Sequence, residues 1–487
     1  MTELLSTPVW ESAVYDGSWV PGHGTDLPVI EPATGKQLST VGGATPQDVD
    51  FAVAKAVSAQ KDWAARPYTE RAAILRKAGQ LFEENAEEIQ QWVIRESGGI
   101  GAKAGLETHV ASEECYNASA LAAHPHGEML RSEQQRMSFS RRIPVGVVGV
   151  IAPFNFPIIL SIRAVAPALA LGNAVVLKPD PRTAVCGGVV LARIFEEAGL
   201  PPGLLSVLPG GAEIGEALVV HPRVRVIAFT GSTGAGRAIG ELAGRHLKRA
   251  HLELGGNNAL VILEGVDVEK AASIGAFGSF MHQGQICMTS GRHIVHESVA
   301  ADYAEALAEH ADKLPVGDPF TEQVALGPLI DEKQRDRVHS LVTASIDAGA
   351  RLAAGGTYED LFYRPTVLTD VPTSAPAFAD EVFGPVAPIT TFSTLDQAIA
   401  IANDCDYGLS LGILSNDAMR ALELAERIPT GLVHINDQTV ADEAVIPFGG
   451  TGFSGNGGRV GGLGANLEAF TETQWVTAQS ALATYPF

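Results

Sequence analysis

The most constraining feature of this sequence is a series of short apolar runs at 145–151, 174–177, 204–208 and 224–229. Turn residues bound each run, and stretches of helical periodicity at 158–171, 183–198 and 212–219 lie between them. Strands without in–out alternation are buried on both faces, and strands alternating with helices build parallel sheets from βαβ units. The chain is therefore expected to be an α/β protein. A second series starts near Leu252 and runs to about Asn436, with helices expected at 267–283, 298–313, 331–348, 395–402 and 417–427. Ahead of both, the first 50 residues read as turns and short strands. Helices are then expected from Pro46, capped by Thr45, to about Ser97 and again over 104–123. Residues 127–142 carry Met129, Met137 and Phe139 among charges and read as a β-hairpin leaving the body, while 448–487 reads as glycine-rich and then extended.

Composition narrows the function. At roughly 100–200 residues per domain, the 487 residues allow two to four domains. A chain that is 46% hydrophobic and 18% charged is not disordered. The net charge of −22 argues against a nucleic-acid partner, because phosphate binding needs clustered Lys and Arg. Cys115, Cys186, Cys287 and Cys405 lie far apart with no ligand spacing, so neither a metal site nor a disulfide framework is expected. The uncharged run 143–162 contains Gly146, Gly149, Pro153, Asn155 and Pro157, which suit a buried strand and turn rather than a membrane span. The N-terminus reads without a secretory signal, so no membrane partner and a cytoplasmic location are expected.

Several residues stand where chemistry is done. Cys287, in His282-Gln283-Gly284-Gln285-Ile286-Cys287-Met288, has glycine and polar neighbours where a helix should end, unlike the other three cysteines. It reads either as a small buried hydrophobe or as a nucleophile, and a nucleophile would need a setting that lowers its thiol pKa. Glu253 lies between two leucines just before Gly255-Gly256 and reads as an exposed strand-end carboxylate or as a general base raised by apolar surroundings. Phe229-Thr230-Gly231-Ser232-Thr233-Gly234-Ala235-Gly236 follows a strand and opens a helix. That suits a phosphate at the helix start, or a plain strand–helix turn. Asn155, between Pro153 and Pro157, reads as an oxyanion donor or as turn chemistry. Lys178-Pro179-Asp180 stands at a strand's C-terminal end, the cofactor edge of an open α/β sheet, where a lysine can also be merely solvated.

Together and in this order, these segments resemble the NAD(P)-dependent aldehyde dehydrogenase family over essentially the whole chain. The remaining matching pieces are Glu381-Val382-Phe383-Gly384-Pro385 and Pro447-Phe448-Gly449-Gly450. The resemblance implies an aldehyde dehydrogenase-like fold. It would comprise a Rossmann-type cofactor domain (1–123 and 143–252), a catalytic domain (253–436) and a small β oligomerisation element (124–142 and 465–487). Residues 437–464 would form a substrate-side loop that returns to the cofactor domain. It also implies that Cys287 attacks an aldehyde, that Asn155 and the Cys287 backbone N–H hold the oxyanion, and that Glu253 activates the water that hydrolyses the thioester. Lys178 would contact the adenosine ribose and tune the thiol. The further cofactor contacts it implies are Ile151, Ala152, Pro153, Phe154, Asp180, Gly211, Phe229, Gly231, Ser232, Gly236, Leu254, Glu381 and Phe383. Like its relatives, the protein would form a homodimer or homotetramer.

Departures from the family pattern qualify the cofactor and substrate. Lys178-Pro179-Asp180-Pro181 lacks the glutamate with which many NAD-preferring relatives bind the ribose hydroxyls, so NAD is expected with some NADP use. The family's tryptophan before the asparagine is Phe154, and the stretch after Gly450 lacks a lysine often found there. That Lys178 segment and Asn436-Asp437-Gln438-Thr439-Val440-Ala441-Asp442-Glu443-Ala444 resemble dehydrogenases of aromatic aldehydes such as benzaldehyde and vanillin. Tyr116, Ile159, Arg163, Ile286, Met288 and Val445 are the expected walls of the substrate tunnel. Arg163 borders a ring, anchors a carboxylate or simply pairs with a nearby acid. The rival readings are a succinate-semialdehyde-type dehydrogenase anchored by Arg163, and a non-catalytic binding protein on the same fold.

Overall fold

The structure is a computed structural model that describes residues 3–124 and 127–487. Residues 1–2, expected in the cofactor domain, and 125–126, expected in the oligomerisation element, lie outside the described residues.

The apolar runs become the middle of a seven-stranded sheet. Its order is Arg249–Glu253, Val224–Thr230, Val147–Ile151, Ala174–Lys178, Leu205–Val207, Ala13–Tyr15, Trp19–Pro21. The first five are mutually parallel and the N-terminal pair joins antiparallel. In chain order the parallel strands read 5-4-1-2-3, the doubly wound arrangement whose ligand crevice opens where the order reverses. Val147–Ile151 and Ala174–Lys178 are buried throughout, which is why neither alternates. The uncharged run continues into the helix Pro157–Ala170, which lies in the core. Among the described residues no helix is long and apolar enough to cross a membrane.

Among the described residues, four α-helices lie between the N-terminal strand pair and the parallel strands of this sheet. Pro46–Ala65 opens with a capping box in which Thr45 and Asp48 satisfy each other's backbone N–H groups. Ala86–Ser97 stops at Gly98, whose φ of +68° a residue with a Cβ adopts reluctantly.

A second seven-stranded sheet runs Arg351–Ala354, Thr366–Thr369, Val386–Phe392, Ser290–His296, Asn258–Ile262, Ser410–Leu414, Leu432–Ile435, parallel except for its first pair. The hairpin strands Gly127–Met129 and Met137–Pro144 extend into a third sheet by pairing with C-terminal Thr471–Ala478.

Two elements differ from the sequence reading. The helix expected over 183–198 is split into a 3₁₀ turn at Pro181–Thr183, a π-helical stretch at Val185–Val189 and an α-helix at Val190–Glu197. The buried Glu96 carboxylate accepts the Val185 and Cys186 N–H groups there. A Cβ on Gly188 would lie 2.7 Å from Val207 and 2.9 Å from Pro179, so only a bare backbone packs that closely. The C-terminal segment is not simply extended, because the helix Leu463–Phe470 precedes its strand.

Candidate active site

The crevice lies at the C-terminal ends of Val147–Ile151 and Val224–Thr230, the two strands flanking the reversal. From Ile151 the chain runs through Ala152 and Pro153 to Phe154. From Thr230 it turns at Gly231 into the helix Thr233–Arg245, whose first turn is capped by the Ser232 hydroxyl accepting the Ala235 N–H. The Gly231 N–H donates to the Glu253 carbonyl at 3.0 Å, tying this turn to the next strand. Buried Phe229 packs under it, 2.5 Å from where a Gly231 Cβ would stand. A Cβ on Gly236 would come within 2.2 Å of Leu254, so the glycine is what lets this helix settle on the strand end. Gly211 starts the helix Ala212–Val220, and its N–H is satisfied by Glu213 at 3.0 Å.

Lys178 ends its strand almost fully buried, and burial pushes its amine below the usual range while Asp180 and Glu213 pull it back up. The Asp180 carboxylate does not stand free as a ribose contact. It caps the turn beginning at Pro181 and pairs with Arg182 at 2.9 Å. Arg182 in turn reaches Asp331 at 2.8 Å and lies over the Phe154 ring at 4.2 Å. The sequence reading missed Arg182, which brings a cation to this edge.

Across the crevice, Glu381 accepts the Gly256 N–H at 2.9 Å, and a Cβ on Gly255 would overlap its carboxylate at 2.2 Å. Burial pushes the Glu381 carboxyl up to about 7, opposed by that N–H and by Arg337. Phe383 has a φ of +55° and sets its ring edge-on to Phe154 at 5.9 Å. Backbone donors at a helix start, a buried lysine, a carboxylate and two aromatic rings around one crevice are a donor set that fits a dinucleotide.

Cys287 sits on a loop fixed from several directions. The helix Val268–Phe280 ends, and His282, Gln283 and Gly284 follow with φ of 48°, 57° and 66°. Gly284 packs so tightly that a Cβ would lie 2.0 Å from the Gly384 carbonyl oxygen. The Gln283 amide donates to the Gly98 and Pro328 carbonyls at 2.9 and 2.7 Å, and the Gln285 side-chain oxygen accepts the Ile330 N–H at 3.0 Å. Asn258 donates to the Cys287 and Thr289 carbonyls at 2.9 and 2.8 Å. The Asn155 amide donates to the Gln285 carbonyl at 3.0 Å, which uses one of its two N–H groups and leaves the other for a ligand beside Cys287.

The electrostatics run against one expectation. Among the described residues no cation is a main influence on the Cys287 thiol. Burial, then Glu381, Asp442 and Glu253, push it up to about 12. Glu253 is buried with neither carboxylate oxygen partnered, and burial raises its pKa well above the usual carboxylate range, opposed by Arg459 and Arg163. It is therefore not an exposed strand-end charge. Room beside it is kept by Gly449, where a Cβ would stand 2.9 Å from Glu253 Oε1.

A cavity of about 490 Å³ opens onto Cys287 and Asn155. Ile159, Arg163, Ile286 and Met288 line it as expected, and Phe156 and Phe448, not among the expected tunnel walls, complete an apolar wall. Two expected residues do not line it. The Tyr116 ring faces the helix Tyr68–Glu84, where a Cβ on Gly79 would lie 2.6 Å from it. From the same helix as Tyr116, Leu106 and Val110 reach the cavity. Val445 is 58% exposed, and its neighbour Ile446 points inward. Arg163 Nε pairs with Glu114 at 2.8 Å and Nη1 with Asp442 at 2.6 Å, with the guanidinium over Phe448 at 5.5 Å. Its charge is already more than matched.

The aldehyde dehydrogenase family model matches residues 19–476. The chain is 63% identical to a vanillin dehydrogenase of an Amycolatopsis species, over 99% of this chain and 100% of the relative. It is 50% identical to the NAD(+)-dependent benzaldehyde dehydrogenase of Pseudomonas putida over 100% of both. Among solved structures, a salicylaldehyde dehydrogenase from Pseudomonas putida G7, complexed with salicylaldehyde, superposes with a TM-score of 0.94. It is 32% identical over 98% of this chain and 99% of that one.

Proposed function

The chain belongs to the aldehyde dehydrogenase family, and from that premise we propose that it oxidises aromatic aldehydes to carboxylic acids with NAD(P)⁺ through Cys287. The observation that carries the aromatic reading is the cavity above Cys287. One wall, formed by Phe156, Ile159, Ile286, Met288 and Phe448, is apolar, and the cavity's one arginine is already held by Glu114 and Asp442. A carboxylate-bearing aldehyde of the succinate-semialdehyde type would find no unpaired cation there and would meet Asp437, Asp442 and Glu443. A neutral ring gains from that apolar wall.

The dinucleotide would be held by Lys178, the Gly231-Ser232 turn, Glu381 and the Phe154–Phe383 pair, with Arg182, paired with Asp180 and Asp331, bordering the same edge. When bound, it supplies an oxidised nicotinamide ring that accepts a hydride. The Cys287 thiol releases its proton to solvent as its sulfur bonds to the carbonyl carbon, and the free Asn155 N–H and the Cys287 backbone N–H stabilise the charge on the former carbonyl oxygen. After oxidation the acyl group is a thioester on Cys287. Glu253 takes a proton from water, the hydroxyl adds to the acyl carbon, the C–S bond breaks, and the acid leaves as the proton held by Glu253 returns to the Cys287 sulfur. Burial, which raises the Glu253 pKa, makes the ionised carboxylate the better acceptor for that proton.

The proposal includes the division into domains at 1–123 with 143–252, 253–436 and 437–464, and assembly as a homodimer or homotetramer through 124–142 and 465–487. The third sheet supports this role for the last segment, since it projects Trp475, 62% exposed. It also includes the cytoplasm, as suits four unpaired cysteines. The test is NAD reduction by the purified protein with benzaldehyde and succinic semialdehyde side by side, with Cys287→Ala as the control. Faster turnover of benzaldehyde, abolished in the variant, is expected. Preference for the semialdehyde would overturn the aromatic reading.

A further inference from the structure

A second, much smaller cavity of about 20 Å³ lies behind Glu253, between the first sheet and the helix Pro157–Ala170. His251 and Glu253 reach it together because residues two apart on a strand share a face. Arg163 reaches it from the helix. These three residues leave buried polar atoms with no protein partner: Arg163 Nη2, His251 Nδ1 and both Glu253 oxygens. Their roles are fixed. Arg163 only donates, and an ionised Glu253 only accepts. The His251 Nε2 lies 3.2 Å from the Ala469 carbonyl oxygen, which can only accept, so Nε2 carries the ring proton and Nδ1 is a bare acceptor.

One donor and two acceptor residues around a space sized for a single water match what a water offers: lone pairs for the donor and a proton for each acceptor. We propose that one buried water, held by Arg163 and His251, is the built-in partner of Glu253, and that His251 is a positioning residue for the hydrolytic half of the reaction. This rests on the reading of Glu253 as the base. The water donates one proton to Glu253 and one to His251 Nδ1 and accepts from Arg163 Nη2. It thereby stabilises the ionised carboxylate against burial. Glu253 is also faced by Arg459 from the glycine-rich C-terminal segment, by Asp442 from the substrate-side loop, and by Cys287. Arg459 Nη1 is engaged with the Gly450 and Gly458 carbonyls at 3.1 and 2.8 Å, and the water would approach the carboxylate from the opposite, cavity side.

The test compares His251→Leu and His251→Asn with the unaltered enzyme, following the pH dependence of acyl-enzyme hydrolysis in single turnover with benzaldehyde and NAD. Leucine removes the acceptor that holds the water. The acid limb should then move up by about one pH unit and hydrolysis near neutral pH should slow about tenfold, with the stoichiometric first NADH per site retained. Asparagine keeps an acceptor oxygen and should stay within about threefold of the unaltered enzyme. A crystal structure of the unaltered enzyme should hold an ordered water within hydrogen-bond distance of Arg163, His251 and Glu253. An unchanged acid limb in His251→Leu overturns the proposal, as does a crystal structure without that water. The latter decides the matter even if the leucine variant fails to fold. Glu253→Gln separates the two readings. If it hydrolyses normally, the base assignment itself fails. If it stops after one NADH while His251→Leu behaves as unaltered enzyme, only the water site fails.

Discussion

At the scale of single residues, the resting thiol is the most informative group. With its pKa pushed up to about 12, Cys287 is protonated through the neutral range, and its nucleophilic form grows as pH rises. Alkylation of the unliganded protein by iodoacetamide, followed at Cys287 by peptide mass analysis, should be slow at pH 7 and rise about tenfold per pH unit up to pH 10. A rate that levels off between pH 7 and 9 would mean that the thiol is activated in the resting protein. Asn155 poses the complementary question. Its second N–H is the only side-chain donor assigned to the oxyanion, so Asn155→Ala should lower kcat by about 10²–10³-fold while Cys287 remains alkylatable. Both residues were legible in the sequence as candidates, because glycine and proline mark the turns that carry them. The direction of the thiol shift was not, since it is set first by burial and then by Glu381, Asp442 and Glu253, which lie far from Cys287 along the chain.

At the scale of elements, the loop between Phe280 and Ser290 carries the geometry. Three consecutive left-handed residues are tolerated because Gln283, Gln285 and Thr289 tie the loop to its surroundings. Gly284→Ala adds a Cβ 2.0 Å from a carbonyl oxygen at a φ of +66°. It should destabilise the protein by about 3 kcal/mol and abolish turnover, read as a lower urea midpoint together with kcat. The helix Gly101–Leu121 makes a second case. Lys103 and Glu107 form an ion pair with no exposed surface, and Glu107 also accepts the Ile158 and Ile159 N–H groups at the start of the next helix. Lys103→Met should lower stability by about 3–5 kcal/mol by leaving Glu107 buried without its cation, measured by thermal or urea unfolding. The helix itself was evident from periodicity. Its cavity-facing side was not, because Leu106, Val110 and Glu114 face the helix Pro157–Ala170 and the cavity while Tyr116 turns to Gly79.

At the scale of the whole molecule, the third sheet and the tail beyond it leave Trp475, Leu482, Tyr485 and Phe487 exposed. In the proposed assembly these exposed apolar side chains would lie in the interface between copies. Removing 479–487 should therefore reduce the assembly to a smaller species in sedimentation velocity, whereas an unchanged distribution would place the interface elsewhere. The α/β organisation was legible because strands buried on both faces leave continuous apolar runs, a signal each segment carries by itself. The pairing of 137–144 with 471–478 was legible only as a resemblance, since no local pattern says which distant strand closes a sheet.

The sequence by itself determined the class of fold and the turns that present Asn155, Glu253 and Cys287. These follow from local properties: hydrophobic period, and glycine and proline at turns. Only the tertiary structure decided that Arg163 is held by Glu114 and Asp442, 49 and 279 residues away, that Asp180 is taken up by Arg182, and that Tyr116 and Val445 stand outside the cavity. Pairing, burial and pKa depend on distances through space, and chain separation does not set those distances until the packing is complete.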